Sequence, residues 1–179
     1  MWIVFEGGDG SGKSTQAVLL ADKLTNKGYE VVLTREPGGG PLGSQVREWM
    51  LHSDNLSPLS QLFLISASRV EHLNHVIYPA LAAGKIVICD RFLDSTIAYQ
   101  GYGNNLSLEI IKKSQDLIQS KLPDRTYLLD MEPSLSLKRA TVRGNATVWE
   151  QKELAFHERV REGFLSCVGN DHKVLDANL

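Results

Sequence analysis

The sequence predicts an α/β fold with a five-stranded parallel sheet and helices on both of its faces. Short runs rich in Val, Ile and Leu are separated along the chain by longer segments of helical periodicity. The apolar runs show little polar alternation, which is typical of strands buried on both faces of a parallel sheet. We place the strands at Trp2–Phe5, Glu30–Thr34, Lys85–Asp90, Thr126–Asp130 and Lys173–Asp176.

The segments of helical periodicity fill the intervals between these strands. Gly28, Gly84 and Pro123 follow three of them, where glycine can take the left-handed conformation that ends a helix and proline lacks the donor that continues one. No repeat or linker divides the sequence, so its 179 residues predict one domain over 1–179. The predicted helices are Gly12–Lys27, Leu42–Leu51, Pro58–Ala83, Leu93–Gln100, Ser107–Lys121, Ser134–Arg143 and Thr147–Val168.

Composition and charge argue against a nucleic-acid partner, a membrane-spanning segment and secretion. The formal net charge of -2 disfavours nucleic acid, because sequence-independent binding to it needs many surplus Lys and Arg contacts. No apolar run approaches the roughly 20 residues that span a bilayer, and the N-terminus lacks the pattern of a signal peptide. Cys89 and Cys167 have no metal-ligand spacing, so we expect free thiols in a cytoplasmic protein.

A phosphate-binding motif, G-x-x-x-x-G-K-[ST], occupies Gly7–Ser14, directly after a predicted strand and directly before a helix. Glycines let phosphate oxygens approach backbone N–H groups at the positive end of a helix. Lys13 would bridge the β- and γ-phosphates, and the Ser14 hydroxyl suits Mg²⁺, which prefers hard oxygen ligands. We therefore predict an ATP site with Mg²⁺ as cofactor, formed by Gly7, Gly8, Asp9, Gly10, Ser11, Gly12, Lys13, Ser14 and Thr15.

A second polar site is predicted at the end of the third strand. Asp90 ends a buried apolar run, and Arg91 follows it. Ligands of open α/β sheets bind at this edge. Asp90 is therefore a candidate to contact the groups that bind a magnesium ion directly, and the alternative is that it only caps a helix. Because a guanidinium pairs with two oxygens at once, Arg91 is a candidate to hold a second phosphate or to stabilise transition-state charge.

Further segments narrow the function. A G protein would carry an Asn-Lys-x-Asp segment for guanine, which the sequence lacks. The sequence instead has five short segments that follow Phe5–Ser14 in a fixed order, at Thr34–Gly39, Pro41–Gly43, Arg69, Asp90–Arg91 and Ala98–Gly101. Together these segments resemble bacterial thymidylate kinase, a P-loop nucleoside monophosphate kinase, over almost the whole chain.

The resemblance implies transfer of the terminal phosphoryl group of ATP to dTMP with Mg²⁺, a homodimer, and a mobile lid around residues 139–150. Asp9 is expected to lie near the acceptor and the metal, Arg69 and Arg91 to hold the dTMP phosphate, and Glu6 to support the loop. Tyr99 is expected to pack against the deoxyribose and exclude ribose, although a position in the core would suit it equally. The acceptor site implied in this way comprises Asp9, Arg35, Glu36, Pro37, Ile65, Arg69, Arg91, Ser95, Thr96, Tyr99 and Gln100.

The lid departs from the pattern of the family. Where the family reads Arg-Gly-x-x-Asp-Arg-x-Glu, the sequence from Arg143 to Glu150 has Thr147 and Val148 in place of the aspartate and the second arginine. An arginine on the transferred group is worth roughly 10³–10⁵ in turnover in related systems. We therefore predict that Arg143 supplies this charge, with Arg139 as the alternative, and that Asp9, Lys13 and Arg91 complete the catalytic set.

Other departures keep alternative functions open. Ile65 stands where the family has a phenylalanine that stacks on thymine, and Phe63 lies about 200° away on a helix, so it is expected to face elsewhere. Gly40 replaces a threonine, and relatives continue into a helix beyond the position of Leu179, so we expect a missing packing element or a shortened sequence. The alternatives are a kinase for another nucleoside monophosphate or deoxynucleoside, and an ATP-dependent switch with impaired catalysis. No histidine is assigned a role, and His157 is interpreted as solvated.

Overall fold

The computed structural model describes residues 1–53, 55–118, 120–142 and 147–178. Five parallel strands form one sheet in the order β2-β3-β1-β4-β5. The predicted sheet is confirmed, and each predicted strand boundary lies within one residue of the observed one. The strands are β1 Trp2–Glu6, β2 Val31–Arg35, β3 Ile86–Asp90, β4 Arg125–Asp130 and β5 His172–Asp176.

Alternate residues of the central strands face two different layers of helices. On one face Ile3 and Phe5 of β1 share an apolar cluster with Ala17 of the first helix. On the other face Trp2 and Val4 share a cluster with residues from the middle of the chain. Both faces are therefore covered, as the continuous apolar strands predict. The helices are α1 Lys13–Thr25, α2 Gly43–His52, α3 Pro58–His72, α4 Tyr78–Ala82, α5 Leu93–Thr96, α6 Leu108–Ile118, α7 Pro133–Val142 and α8 Leu154–Ser166.

Two of the predicted helices contain π-helical turns. The helix predicted over Pro58–Ala83 is divided by the π turn Leu73–Ile77, which lies between α3 and α4. Pro79 follows this turn, and since proline cannot donate to the carbonyl four residues earlier and clashes with it, the preceding turn widens. The π turn Ile97–Gly103 continues α5 beyond the predicted end at Gln100.

The predicted helix over Thr147–Val168 is wrong at its start, because α8 begins only at Leu154. The Thr147 N–H donates to Glu150 Oε2 (2.9 Å), and the Glu150 N–H donates to Thr147 Oγ1 (3.3 Å). This reciprocal pair resembles a capping box, but it closes a separate turn at residues 147–152. Glu153 then takes an extended conformation before α8, which separates the turn from the helix.

The carboxyl ends of the parallel strands meet at one edge of the sheet. The loops that leave β1, β2 and β3 there carry the phosphate-binding motif, Glu36–Gly40 and Arg91–Phe92. This edge is where open α/β sheets bind ligands. None of the helices in the described part of the chain is long and apolar enough to cross a membrane.

Candidate active site

A cavity of about 340 Å³ opens at this edge of the sheet. It brings together most of the predicted site residues, while Gly7 and Gly8 lie beside a smaller space on the other side of the loop, and Ser11 is buried. The predicted residues that line the cavity are Asp9, Gly10, Gly12, Lys13, Ser14, Thr15, Arg35, Glu36, Pro37, Ile65, Arg69, Asp90, Arg91, Ser95, Thr96, Tyr99, Gln100 and Arg139.

The glycine-rich loop between β1 and α1 has the backbone that its motif predicts. Gly10 and Gly12 have φ angles of 84° and 94°, in the left-handed region that favours glycine. A Cβ atom on Gly10 would also collide with the backbone carbonyl of Ser136. The loop leads into the N-terminus of α1, where the first N–H groups of the helix are available to an anion.

Lys13 lies at the start of α1 and is almost fully buried. Its Nζ donates to the carbonyl oxygen of Gly8 at 2.7 Å, so the ammonium lies over the glycine-rich loop. Burial and the charge of Arg91 together outweigh the opposing effect of Asp9 and Asp90 and lower the pKa of Lys13 to about 8. A bound polyphosphate would give this ammonium an anionic partner in place of the neutral Gly8 carbonyl.

Ser14 and Asp90 form a pair of hard oxygen donors below the loop. The Ser14 hydroxyl donates to Asp90 Oδ2. The other carboxylate oxygen, Asp90 Oδ1, is buried and has no hydrogen-bond partner among the described residues. An unpaired buried carboxylate oxygen is costly, and a divalent cation beside it would relieve that cost. The residues present therefore fit Mg²⁺, which binds one or two protein oxygens with phosphates and water.

Arg91 joins the glycine-rich loop to the acceptor side of the cavity. Its Nη1 donates to the Gly7 carbonyl (3.0 Å) and to Ser95 Oγ (3.1 Å), while its Nη2 donates to Asp9 Oδ1 (2.6 Å) and to Tyr99 Oη (3.2 Å). The Tyr99 hydroxyl in turn donates to Asp9 Oδ2 at 2.7 Å. Burial raises the pKa of Tyr99 well above its usual value, so this hydroxyl keeps its proton.

Asp9 and Glu6 respond in opposite ways to the charges around them. Burial opposes ionisation of Asp9, but the charges of Arg91 and Lys13 outweigh it and lower its pKa to about 2. Burial raises the pKa of Glu6 to about 7, and the nearby Asp94 adds to this effect. Asp9 is therefore a fixed anion in the cavity, whereas Glu6 titrates near neutrality.

Glu6 supports the turn that carries Arg91. Its Oε1 accepts from the backbone N–H groups of Phe92 (2.7 Å) and Ser95 (3.3 Å), and its Oε2 accepts from Ser95 Oγ at 2.6 Å. Arg91 has a φ of 74°, a left-handed conformation that few residues other than glycine adopt. The Glu6 carboxylate therefore holds the backbone that follows this unusual residue.

Arg69 forms the wall opposite the glycine-rich loop and is 2% exposed. Its Nε donates to Glu36 Oε2 at 2.6 Å, and its Nη2 donates to the Phe92 carbonyl and to Thr96 Oγ1, each at 3.0 Å. Glu36 was predicted to contact substrate, but its carboxylate is turned away from solvent and paired with Arg69. The wall thus presents a guanidinium whose position is set by buried partners.

Comparison with known proteins assigns this site to one family. A family model described as "Thymidylate kinase" matches residues 5–179. The chain belongs to the thymidylate kinase family. Thymidylate kinase from Synechococcus sp. (strain JA-3-3Ab) is 51% identical over 165 residues, which cover 92% of this chain and 79% of that protein. Thymidylate kinase from Exiguobacterium sibiricum is 45% identical over 183 residues, which cover 99% of this chain and 86% of that protein.

Solved structures agree with this assignment. The crystal structure of thymidylate kinase from Ehrlichia chaffeensis has a TM-score of 0.81 and 40% sequence identity, and the match covers 98% of this chain and 86% of that one. The predicted resemblance, the P-loop kinase fold and the assignment as a kinase are thereby confirmed.

Apolar residues close one end of the cavity in this thymidylate kinase family member. Ile65 and Met50 belong to the same cluster as Tyr99, so the departure from phenylalanine leaves an aliphatic surface at that position. Trp149, which sequence reasoning missed, donates from its indole N–H to the Met50 carbonyl at 2.7 Å and meets the Tyr99 ring edge-on. Phe63 is 62% exposed, as its helical position predicts.

The positive charge of the lid was predicted to come from Arg143, with Arg139 as the alternative. Arg143 lies outside the described residues. Arg139 is exposed, borders the cavity and donates from its Nη1 to the carbonyl oxygen of Ala177 at 3.1 Å. Val148 stands where the family has the second arginine of the lid, and Trp149 follows it. Both side chains pack in the apolar cluster beside the cavity.

Two further side chains of the site were missed by sequence reasoning. Arg47 of α2 lines the cavity and donates to the Pro37 carbonyl at 3.1 Å; burial and the neighbouring Arg35 lower its pKa. No pattern in the sequence pointed to Arg47, because Met50, the cavity-lining residue one helical turn later, was not predicted either. His72 is fully buried and forms a hydrogen bond with Glu36, and it follows Arg69 by one helical turn.

The interpretation of His157 as solvated is wrong. Its side chain is 5% exposed, and its Nε2 is buried without a hydrogen-bond partner among the described residues. Burial lowers the pKa of the imidazole, so the neutral form is favoured. The ring packs edge-on against Phe156, because α8 turns this residue inward towards the strand end of β4 rather than to solvent.

Proposed function

We propose that this member of the thymidylate kinase family transfers the γ-phosphoryl group of ATP to dTMP and forms dTDP and ADP. The observation that carries the proposal is the pairing of two anion-binding surfaces across one cavity. The glycine-rich loop and Lys13 lie on one side, the guanidinium of Arg69 lies on the other, and Arg91 bridges the two. Two phosphorylated substrates would be held with their phosphates facing each other between these surfaces.

Phosphoryl transfer needs little covalent chemistry from the protein, so the proposed roles are electrostatic. Lys13 would leave the Gly8 carbonyl and stabilise charge on the phosphoryl group as it moves. Arg91 would contact both the incoming and the accepting phosphate, because it already joins the loop to the acceptor side. Arg69 would anchor the acceptor phosphate, and Arg47 and Arg35 would add charge at the cavity mouth.

Magnesium would be held through Ser14 and Asp90. When bound, the ion neutralises charge on the phosphates. The unpaired Asp90 Oδ1 and the Ser14 hydroxyl support this assignment, since both are hard oxygens beside the phosphate-binding loop. Arg143 or Arg139 would add the positive charge that the lid supplies.

Acceptor choice is proposed to rest on Tyr99, Gln100 and the apolar end of the cavity. Tyr99 is fixed by Asp9 and Arg91, so its ring is a rigid surface against which a deoxyribose would pack. An apolar niche at Ile65 and Met50 would favour the 5-methyl group of thymine by roughly 1–3 kcal/mol, the value of one methyl group.

We also propose a homodimer and a cytoplasmic location. Trp49 and Phe63 are 50% and 62% exposed on α2 and α3, and large apolar side chains exposed on adjacent helices mark a surface for another protein. Sedimentation equilibrium of the parent and Phe63→Asp would test whether this face joins two copies. The location rests on the two cysteines without a disulfide, Cys89 and Cys167.

Coupled measurement of ADP release tests the proposed reaction. The purified chain is given ATP and Mg²⁺ with dTMP, dUMP, UMP, dCMP, AMP or GMP, and with no acceptor as the control. We expect ADP to form rapidly only with dTMP and more slowly with dUMP. Equal or higher rates with another monophosphate would show that dTMP is not the preferred acceptor. Slow ADP formation that no acceptor accelerates would show that the chain is an ATP-dependent switch and not a kinase.

A further inference from the structure

His72 is fully buried at the last residue of α3, and both of its ring nitrogens have partners. Its Nδ1 lies 2.9 Å from Glu36 Oε1, and its Nε2 lies 2.7 Å from Thr34 Oγ1. The ring is not among the side chains that line the cavity. Any effect of His72 on the reaction must therefore pass through the residues that it contacts.

The chemistry of the partners sets the direction of these hydrogen bonds. Glu36 already accepts from Arg69 Nε, and an ionised carboxylate has no proton to donate. The Nδ1 atom of His72 must therefore carry the proton and donate to Glu36. In the neutral ring Nε2 then accepts from the hydroxyl of Thr34, which fixes the ring against β2.

Glu36 divides its two oxygens between His72 and Arg69. Since Oε1 is held by His72 and Oε2 by Arg69, rotation of the carboxylate would break one of the bonds. The Phe92 carbonyl and Thr96 Oγ1 hold Arg69 Nη2. Among the hydrogen bonds of the described residues none uses Arg69 Nη1, so this nitrogen is the one left for a ligand in the cavity. Fixing the other two nitrogens in advance lowers the entropy that arginine loses on binding.

The loop after Glu36 is shaped around the same histidine. A Cβ atom on Gly39 would collide with the His72 ring, and one on Gly40 would lie 2.9 Å from the His72 backbone nitrogen. Gly40 also has a φ of 75°, which glycine adopts at no steric cost. The position of His72 therefore determines the orientation of the Glu36 carboxylate. It also limits the backbone of the loop Glu36–Gly40, which borders the acceptor side of the cavity.

We propose that His72 is a positioning residue for the acceptor phosphate: it orients Glu36, and Glu36 holds Arg69 with Nη1 directed to the phosphate. This inference rests on the proposed function, because it concerns the affinity for the accepting nucleotide. It assigns His72 no contact with ATP, since the glycine-rich loop and Lys13 have no hydrogen bond to His72, Glu36 or Thr34 among the described residues.

Two amide substitutions separate this role from simple packing. The side-chain NH₂ of His72→Asn lies near the position of Nδ1 and can still donate to Glu36, whereas the amide of His72→Gln lies near Nε2 and reaches Thr34 instead. Both replace the same buried ring with a smaller polar group, so loss of packing affects them alike. Initial rates give KM for dTMP at saturating ATP and KM for ATP at saturating dTMP, and thermal unfolding gives the stability of each variant.

We expect His72→Gln to raise KM for dTMP about tenfold or more, with KM for ATP within twofold of the parent, and His72→Asn to stay within about threefold for both substrates. Equal increases of KM for dTMP in the two variants, or parallel increases for ATP and dTMP, would overturn the positioning role. If His72→Gln does not fold, Thr34→Val removes only the hydroxyl that orients the ring. It should raise KM for dTMP about threefold, and an unchanged value would overturn the inference.

The parent enzyme separates this inference from the proposed function. Turnover of the parent that does not depend on dTMP would refute the proposed reaction and leave the comparison of variants without a substrate. Turnover that depends on dTMP, with no selective effect in any of the three variants, would refute the role of His72 alone.

Discussion

The two sides of the cavity that we propose to bind phosphate are built from different kinds of groups. The donor side is one contiguous segment, Gly7–Ser14, whose binding groups are backbone N–H groups and the lysine that follows them. The acceptor side joins Arg69 and His72 of α3, Thr96 of α5 and Glu36 of the loop after β2 through buried side-chain hydrogen bonds. A local loop depends mainly on its own residues, whereas a network of side chains transmits a change at one member to the others. The donor and acceptor affinities should therefore respond to mutations very differently.

The largest expected effect is on the donor side, in Lys13→Ala. Its ammonium is the only cation within the glycine-rich segment, and the loss of one such charge from a transition state costs roughly 10²–10³ in turnover. The measurement is kcat from coupled ADP release with dTMP. Lys23→Ala, an exposed lysine on the same helix, is the matched control and should keep the parental rate. Parental turnover in Lys13→Ala would contradict the proposed role.

Arg69→Met tests the acceptor side. The change leaves Glu36 buried without its main cation, which for such pairs destabilises the fold by about 3–5 kcal/mol. It should also raise KM for dTMP by roughly 100-fold, because the anchor of the acceptor phosphate is gone. Arg35→Met, which removes an exposed arginine of the same cavity, should change both quantities much less. Similar changes of KM for dTMP and of stability in the two variants would show that the buried position of Arg69 gives it no special role in binding the acceptor.

Ile65→Phe sharpens the comparison by adding to the acceptor side. An aromatic ring at this position could stack on the thymine base, and such contacts are worth about 0.5–1.5 kcal/mol. We expect KM for dTMP to fall by about two- to tenfold and KM for ATP to stay unchanged. Ile110→Phe, the same exchange at an exposed position of α6, is the matched control and should leave both KM values unchanged. An increase of KM for dTMP would mean that the cluster around Ile65 has no room for the larger ring.

The last prediction concerns Glu6, which supports the turn that carries Arg91, and its effect is expected in stability and not in kinetics. Its pKa is about 7 in the folded chain and near 4.5 when unperturbed, so between these values the folded state holds a proton that the unfolded state has released. The free energy of unfolding therefore falls as the pH rises through this window. Glu6→Gln removes the effect, so its stability relative to the parent should rise by on the order of 1–3 kcal/mol from pH 4.5 to 7.

Urea unfolding at several pH values measures this difference. Glu109→Gln, which changes an exposed glutamate in an ion pair with Lys113, is the control and should track the parent. A difference between Glu6→Gln and the parent that stays constant over the window would contradict the raised pKa.

The same contrast explains what the sequence could predict. The strands and the glycine-rich loop follow from local patterns, because continuous apolar runs and a motif between strand and helix carry their own geometry. The role of His72 did not follow, since its partner Glu36 lies 36 residues away and only the packed fold brings them together. The role of Arg47 did not follow either, since it contacts the Pro37 carbonyl of an irregular loop whose path local patterns do not specify. The turn at Thr147 could not be distinguished from a helix start in the sequence, because the reciprocal Thr147–Glu150 pair that closes it also occurs at the beginning of helices.

Transfer of labelled phosphate tests the central claim most directly. The parent chain is incubated with Mg²⁺, dTMP and ATP labelled at the γ-phosphate, and the labelled products are separated. If the two sides of the cavity hold donor and acceptor together, the label will appear in dTDP at the rate at which ADP forms. Label that appears as inorganic phosphate while dTMP remains unchanged would contradict the account.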